Sequence, residues 1–161
     1  MHVDEIPVAK TPDGGYGDTF PDPVLAGCSD DLSSDALDMR GLWQVTDVSV
    51  EGKRVADHQV IGSIQRIEQA GNRIVITSGG IIHDMRADGT EANGVNDVMA
   101  ADLTTPISVA ATFEDGVHVL RPAGLPVEIR RWRDGDELIW DYLGFTARLA
   151  RLGPSEMAPP T

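Results

Sequence analysis

At 161 residues, the chain is long enough for one domain that buries about two-thirds of the surface exposed by its unfolded form. The net charge of −13 excludes a broad nucleic-acid or anionic-lipid surface, because phosphate binding needs clustered Lys and Arg. The single cysteine, Cys28, excludes an internal disulfide framework.

The N-terminal residues 1–5 contain neither the cationic start nor the apolar stretch of a secretory signal. No run approaches the ~18 consecutive apolar residues of a membrane-spanning helix. We therefore expect a cytoplasmic protein with no membrane insertion and no nucleic-acid partner.

Residues 1–38 are predicted to form an acidic arm. This segment holds nine carboxylates and one lysine, whereas residues 39–161 hold seventeen carboxylates and twelve Lys or Arg. The Pro- and Gly-rich residues 11–15 and 20–23 favour extended chain over regular structure. Ser29 or Asp30 could cap a short helix near residues 30–38. Scattered apolar side chains in the arm, such as Tyr16, indicate that parts of it lie against the folded domain.

Residues 39–153 are predicted to form an all-β domain of short antiparallel strands. β-Branched residues fill its extended segments, which is typical of a half-buried pleated surface. Asp-Gly pairs at residues 88–89, 115–116 and 134–135 predict three tight hairpins, because Asp-Gly readily adopts positive φ. The total of about eight to ten strands in an up-and-down meander predicts a small closed barrel.

Two further segments of the chain have predictions of their own. Residues 91–105 are polar and rich in small side chains, and could be strand, loop or lid. Residues 154–161 are predicted to be a disordered tail.

The motif Gly41-Leu42-Trp43 resembles the Gly-x-Trp motif that opens the first strand of lipocalins and fatty-acid-binding proteins. In that group an arginine near the last strand packs over the tryptophan, and Arg148 or Arg151 matches this arginine by position. The resemblance implies a lipocalin-like barrel, with Trp43 as a structural plug at the closed end. It also implies an internal cavity for a small apolar molecule.

His83 is the first candidate functional residue. Alternation along the strand places Ile81, His83 and Met85 on one face, with Asp84 and Arg86 on the solvent side. An inward histidine in apolar surroundings could act as a general base or form a hydrogen bond to a ligand. The alternative is a core histidine whose nitrogens are satisfied by backbone or by a carboxylate.

Aromatic and basic side chains on the last strands supply further ligand-binding candidates. Trp140 and Tyr142 share a face with Leu138, and rings placed inside a barrel can line a cavity. Arg130 and Trp132 share a face, and an inward Arg130 could anchor a carboxylate or pair with Glu128. The predicted ligand-binding set is His83, Met85, Leu120, Arg130, Trp132, Trp140 and Tyr142.

Metal and nucleophile chemistry have little support in the sequence. His58, His83 and His118 lie too far apart for a compact ligand motif, so neither a metal nor a cofactor is predicted. No serine occupies a nucleophile elbow. Asp97 could partner His83 in acid–base catalysis, although no spacing argument requires it.

Three functional hypotheses follow. The first is a protein that binds a small hydrophobic or amphipathic molecule inside the barrel. The second is a cofactor-independent isomerase, cyclase or hydratase that uses His83 as general base. The third is a solid barrel that binds a protein partner through its acidic arm. Separately, the chain could form a homodimer.

Overall fold

The computed structural model describes residues 1–160 and shows an all-β antiparallel meander, which confirms the predicted fold class. Helical structure in this range is confined to one 3-10 turn at Val3–Glu5. Eleven strands follow: β1 (Gly41–Val50), β2 (Lys53–Arg54), β3 (Ile64–Ala70), β4 (Arg73–Ser78), β5 (Ile81–Arg86), β6 (Val95–Val98), β7 (Pro106–Glu114), β8 (Val117–Pro122), β9 (Ile129–Asp134), β10 (Glu137–Tyr142) and β11 (Phe145–Gly153).

The strands form one sheet that curls into a nearly closed barrel. Its order is β5-β4-β3-β1-β11-β10-β9-β8-β7-β6, and the short strand β2 pairs with the far end of β1. Strands β5 and β6 meet at the seam without a continuous backbone ladder. The seam is held by single contacts instead, including Arg86 N–H to Asn93 O at 2.7 Å.

Two of the three predicted Asp-Gly hairpins join adjacent strands. Asp115 and Gly116, with φ of 50° and 79°, connect β7 to β8, and Gly135 lies in the turn from β9 to β10. The hairpin predicted at Asp88-Gly89 is wrong, because no strand starts there and β6 begins only at Val95. The Asp88 carboxylate instead accepts hydrogen bonds from the Thr90 backbone and side chain and from Asn93, which holds a loop.

The ambiguous segment 91–105 is part strand and part loop. It contributes β6, which pairs with β7, and then a turn in which Leu103 adopts a φ of 61°. The segment therefore supplies one edge of the seam.

The main apolar core lies in the interior of the barrel. Trp43 and Leu138 are fully buried, as are Ile67 and Ile74 on the neighbouring strands. The register of β1 shifts between Val45 and Asp47, so that the inward face continues through Val48. Polar side chains also point inward, and they form the site described below.

The N-terminal arm packs against the outer face of β3, β4 and β5. Val3 and Leu25 from the arm form a second apolar cluster with Ala70, Val75 and Ile82 of the barrel wall. The helix predicted near residues 30–38 is wrong. Leu32 forms an isolated parallel bridge with Gly71, and the Asp30 carboxylate binds Val3 N–H instead of capping a helix.

A buried ion pair anchors this arm. The Arg73 guanidinium donates two hydrogen bonds to the Asp84 carboxylate, at 2.8 and 2.6 Å, and it also donates to the backbone oxygens of the arm at Val3, Ile6 and Pro7. Asp84 in turn accepts Ala9 N–H at 2.8 Å. Burial of paired charges is tolerated because nearly every donor and acceptor has a partner.

Glu68 provides a second anchor. Its carboxylate accepts hydrogen bonds from Val24 N–H at 3.0 Å and Leu25 N–H at 2.7 Å. Burial is the main influence on this carboxyl group and raises its pKa. Wall side chains thus hydrogen-bond the arm backbone near its start and again at residues 24–25.

The C-terminal residues 154–160, predicted as a disordered tail, form a turn against the barrel. Met157 N–H donates to Pro154 O at 3.0 Å, and Ser155 is buried. Thr161 lies outside the described residues.

Candidate ligand site in the barrel interior

An arginine and a histidine face each other inside the barrel. His118 on β8 and Arg131 on β9 are direct partners in the antiparallel register. Directly opposite residues on one face of a sheet bring their Cβ atoms within about 5.5 Å. Both side chains are buried, so a guanidinium and an imidazole share the same interior environment.

Arg131 has few partners for a buried cation. One Nη atom donates to Gln65 Oε1 at 3.2 Å, and Nε has no partner within the described chain. The guanidinium also lies over the Trp140 ring, 5.2 Å from its centroid. Burial lowers the pKa of Arg131 to about 10, so the group stays charged at neutral pH.

His118 is more isolated. Neither ring nitrogen has a hydrogen-bond partner among residues 1–160, and the ring packs 5.4 Å from that of Phe113. Burial, with a smaller contribution from the Arg131 charge, lowers the pKa of His118 to about 3. The imidazole is therefore neutral, with one donor and one acceptor nitrogen.

Aromatic rings cluster where β10 turns into β11. Trp140 lies 5.0 Å from Tyr142 and 5.3 Å from Phe145, and His58 lies 4.9 Å from Phe145, between ring centroids. These side chains are half-buried, and Trp140 Nε1 has no hydrogen-bond partner within residues 1–160. This aromatic cluster (His58, Trp140, Tyr142 and Phe145) contacts Arg131 through Trp140.

His83 points toward the seam of the barrel. Its Nε2 atom is 2.8 Å from Val98 O on β6, so the protonated nitrogen donates across the seam. Burial is the main influence and lowers the pKa of His83.

Asp97 is held separately from His83. Its carboxylate accepts Thr11 N–H at 2.9 Å and Val98 N–H at 2.7 Å. A direct His83–Asp97 hydrogen bond is not among the contacts of the described chain. Backbone amide hydrogen bonds to the carboxylate outweigh its burial, so the pKa of Asp97 is lowered.

The face of β9 that was predicted to point inward points outward. Arg130 is exposed and pairs with Glu128, and Trp132 lines a groove of about 330 Å³ on the outside of the wall. Ile129 and Arg131 take the buried positions. The buried Ile129 sets the alternation of this strand, which turns Arg130 and Trp132 outward.

Three of the other predicted ligand-binding residues lie with the interior core. Met85 is buried there, and Leu120 and Trp140 pack against it from half-buried positions. The predicted ligand-binding set lacks five residues of this site: His58, Gln65, His118, Arg131 and Phe145. The sequence does contain a signal that Arg131 points inward, because it shares a strand face with the apolar Ile129, two residues earlier.

The end of the barrel near Trp43 differs in detail from the expected arrangement. Trp43 is fully buried, its Nε1 donates to Met39 O at 2.9 Å, and Arg133 of β9 stacks 5.1 Å from its ring. Arg151 lies beside Gly41 and donates to Arg40 O. Arg148 points outward and pairs with Glu137 and Asp134, so it does not cover the tryptophan.

The comparisons leave the family open. No protein-family model matches the chain, and no curated protein matches its sequence. The nearly closed antiparallel barrel is compatible with a calycin-like fold. Within residues 1–160, no cluster of three or more His, Cys, Asp or Glu side chains is arranged to hold a metal ion. Among the same residues, no helix has the length and apolarity needed to cross a membrane.

Proposed function

We propose that this protein is a lipocalin-like binding protein that holds a small hydrophobic or amphipathic molecule inside its barrel. The observation that carries the proposal is the set of buried polar atoms without partners, on His118, Arg131 and Trp140. Buried polar groups in folded proteins almost always have partners, so such a set marks a place where a ligand or water completes the hydrogen bonds. Apolar sites with a few convergent polar groups are typical of small-molecule pockets.

The aromatic cluster supports the same proposal. Its rings are half-buried at one end of the barrel and continue inward to the Arg131 guanidinium. Burial of ligand surface against such rings supplies affinity at about 25 cal/mol per Å² of apolar area, and the polar atoms orient the ligand.

Binding is favoured over catalysis by the surroundings of His83. Its Nε2 donates to a backbone carbonyl, and its Asp97 neighbour is occupied by backbone amides. Only Nδ1 is then left to accept a proton, and no carboxylate of the described chain is hydrogen-bonded to His83 to orient the ring for that role. The contacts of His83 fit a residue that ties β5 to β6.

Binding can be tested with the neutral fluorophore N-phenyl-1-naphthylamine. We expect saturable enhancement of its emission by the native protein, and at least about tenfold weaker binding after Trp140→Leu, because roughly 1.4 kcal/mol of ring contact is lost. Trp132→Leu on the outer wall is the matched control and should bind as the native protein does. Fluorescence titration of the three proteins, each checked for folding by circular dichroism, makes the measurement.

The outcome separates interior from surface binding. No saturable binding by the folded native protein would contradict the proposal. A loss caused by Trp132→Leu with none from Trp140→Leu would place the fluorophore in the outer groove and would contradict it equally.

A further inference from the structure

The seam between β5 and β6 is the one line in the barrel wall of the described chain without a backbone ladder. Neighbouring strands elsewhere share ladders, and β4 and β5, for example, pair over six residues each. Across the seam, Arg86 N–H donates to Asn93 O, and His83 Nε2 lies within hydrogen-bond distance of Val98 O. Opening the wall here therefore breaks fewer backbone hydrogen bonds than separating two strands that share a ladder.

A short part of the N-terminal arm crosses the seam and binds both of its sides. Ala9 N–H donates to the Asp84 carboxylate of β5 at 2.8 Å, and Thr11 N–H donates to the Asp97 carboxylate of β6 at 2.9 Å. The Thr11 hydroxyl oxygen accepts Ile82 N–H of β5 at 2.9 Å. An amide at the edge of β5 is thus satisfied by the arm and not by β6.

The next residues of the arm bind the two loops that flank the seam. Tyr16 N–H donates to Gly80 O, in the turn between β4 and β5, at 3.0 Å. Gly15 lies so close to Leu103, in the loop after β6, that a Cβ atom on this glycine would stand 2.9 Å from Leu103 Cδ1. Residues 9–16, which we call the strap, therefore join the β5 side of the seam to the β6 side.

The strap is held less firmly than the parts of the arm on either side of it. The residues before it are bound by the buried Arg73, and residues 24–25 are bound by Glu68. Within the strap, Lys10 is exposed and Thr11 is half-buried. Water can replace hydrogen bonds at such positions, so the strap opens at a lower cost than the anchored segments.

Beneath the strap, the seam leads to the barrel interior. Met85 of β5 and Val95 of β6 both belong to the interior core. Besides burial, the charge of Arg131 lowers the pKa of His83, so the seam also adjoins the buried polar groups.

The end of the barrel near the aromatic cluster is closed more firmly. Val60 and Ile61, in the connection between β2 and β3, pack against the interior core. Val45 of β1 donates its N–H to Ser63 O and accepts Gly62 N–H, both at 2.9 Å. Backbone hydrogen bonds thus fix this connection, whereas side chains hold much of the strap.

We propose that the strap is a releasable closure and that the seam beneath it is the passage through which a ligand enters and leaves the barrel. The proposal rests on the proposed function, because a passage serves only an interior ligand. The strap lifts from the seam while both flanking segments of the arm stay bound, and it closes equally over the empty and the occupied barrel.

Stopped-flow fluorescence with N-phenyl-1-naphthylamine tests this passage on the full chain. Thr11→Val keeps the shape of the side chain and removes the acceptor for Ile82 N–H. We expect the association and dissociation rate constants both to rise about fivefold, which corresponds to the loss of about 1 kcal/mol from the closed state. Kd should stay within about twofold of the native value, because the free and bound closed states lose the same contact.

A second pair of variants keeps the test decisive if Thr11→Val does not fold. Lys10 Nζ donates to Asn96 O of β6 at 2.8 Å, and Lys10→Met should raise both rate constants by about twofold or more. Thr19→Val, at an exposed position of the same arm, and Lys53→Met, at an exposed position of β2, are the matched controls and should keep the native rates.

The failures of the two proposals are distinguishable. Native rates in the folded strap variants, with normal binding of the probe, would overturn the passage and leave the proposed function standing. A faster dissociation alone, with weaker binding, would show that the strap stabilises the bound state and would overturn its role as a closure. Native protein that does not bind the probe would overturn both proposals.

Discussion

Replacing Arg73 with methionine should lower the free energy of unfolding by about 3–5 kcal/mol, since it leaves the Asp84 charge buried and unpaired. The two side chains are 2% and 1% exposed, respectively. The substitution also removes three hydrogen bonds from the guanidinium to backbone oxygens of the arm. Urea unfolding, analysed by linear extrapolation, measures the effect.

Arg54→Met is the matched control for this substitution. Arg54 pairs with Asp47 at 2.8 Å, but its side chain is 71% exposed. Exposed ion pairs contribute about 1 kcal/mol or less, so this control should change the free energy of unfolding little. An equal effect of the two substitutions would contradict the role assigned to the buried pair.

Acidification below pH 6.5 should destabilise the ligand-free protein through its buried histidines. His118, with a pKa of about 3, stays neutral in the folded state while the unfolded chain takes up a proton near pH 6.5. The unfolded state then binds more protons, so stability falls by up to about 1.4 kcal/mol per pH unit. His83, whose pKa is also lowered, acts in the same direction. Urea unfolding at pH 7.5 and pH 5.0 measures the loss.

The substitution His118→Leu isolates the contribution of this histidine to the pH dependence of stability. The variant should lose about 2 kcal/mol less than the native protein between pH 7.5 and pH 5.0. Glu68 works in the opposite sense, because its raised pKa favours the folded state as the carboxyl group protonates, but it is present in both proteins. Equal losses in the two proteins would show that the His118 pKa is not lowered.

The architecture was predictable because its signals are local. Asp115-Gly116 and Asp134-Gly135 adopt turns that follow from their own backbone preferences, and β-branched runs favour strands. The alternation that placed Trp140 and Met85 on the interior side was also correct. These features need no knowledge of distant residues.

Other features depend on contacts between residues far apart in sequence. The arm lies extended because Arg73, Asp84 and Glu68, at sequence separations of 43 residues or more, hydrogen-bond its backbone. Near residues 30–38, the Leu32–Gly71 bridge and the hydrogen bond from the Gln69 side chain to Leu37 O outweigh the weak helix signal. The prediction of which face of β9 points inward was wrong. Residues 130–133 are all polar or aromatic, so they hide the alternation of the strand, which only Ile129 reveals.

The site itself was partly predictable. The aromatic residues of β10 were identified, but the pairing of Arg131 with His118 depends on the register between β8 and β9. The Arg133 stacking on Trp43 is a similar case, since the expected arginine was on β11. Sequence alone does not give the register of β8 and β9, because the loop of residues 123–128 between them carries no defined hairpin signal.

Native mass spectrometry of freshly purified protein tests most directly whether the barrel interior holds a ligand. We predict a species heavier than the 17.3 kDa chain by the mass of a small molecule, which collisional activation or denaturation removes. Arg131→Met should carry less of this species than Arg130→Met. Only the bare chain mass under the gentlest conditions, in a protein that also fails to bind N-phenyl-1-naphthylamine, would contradict an interior ligand site.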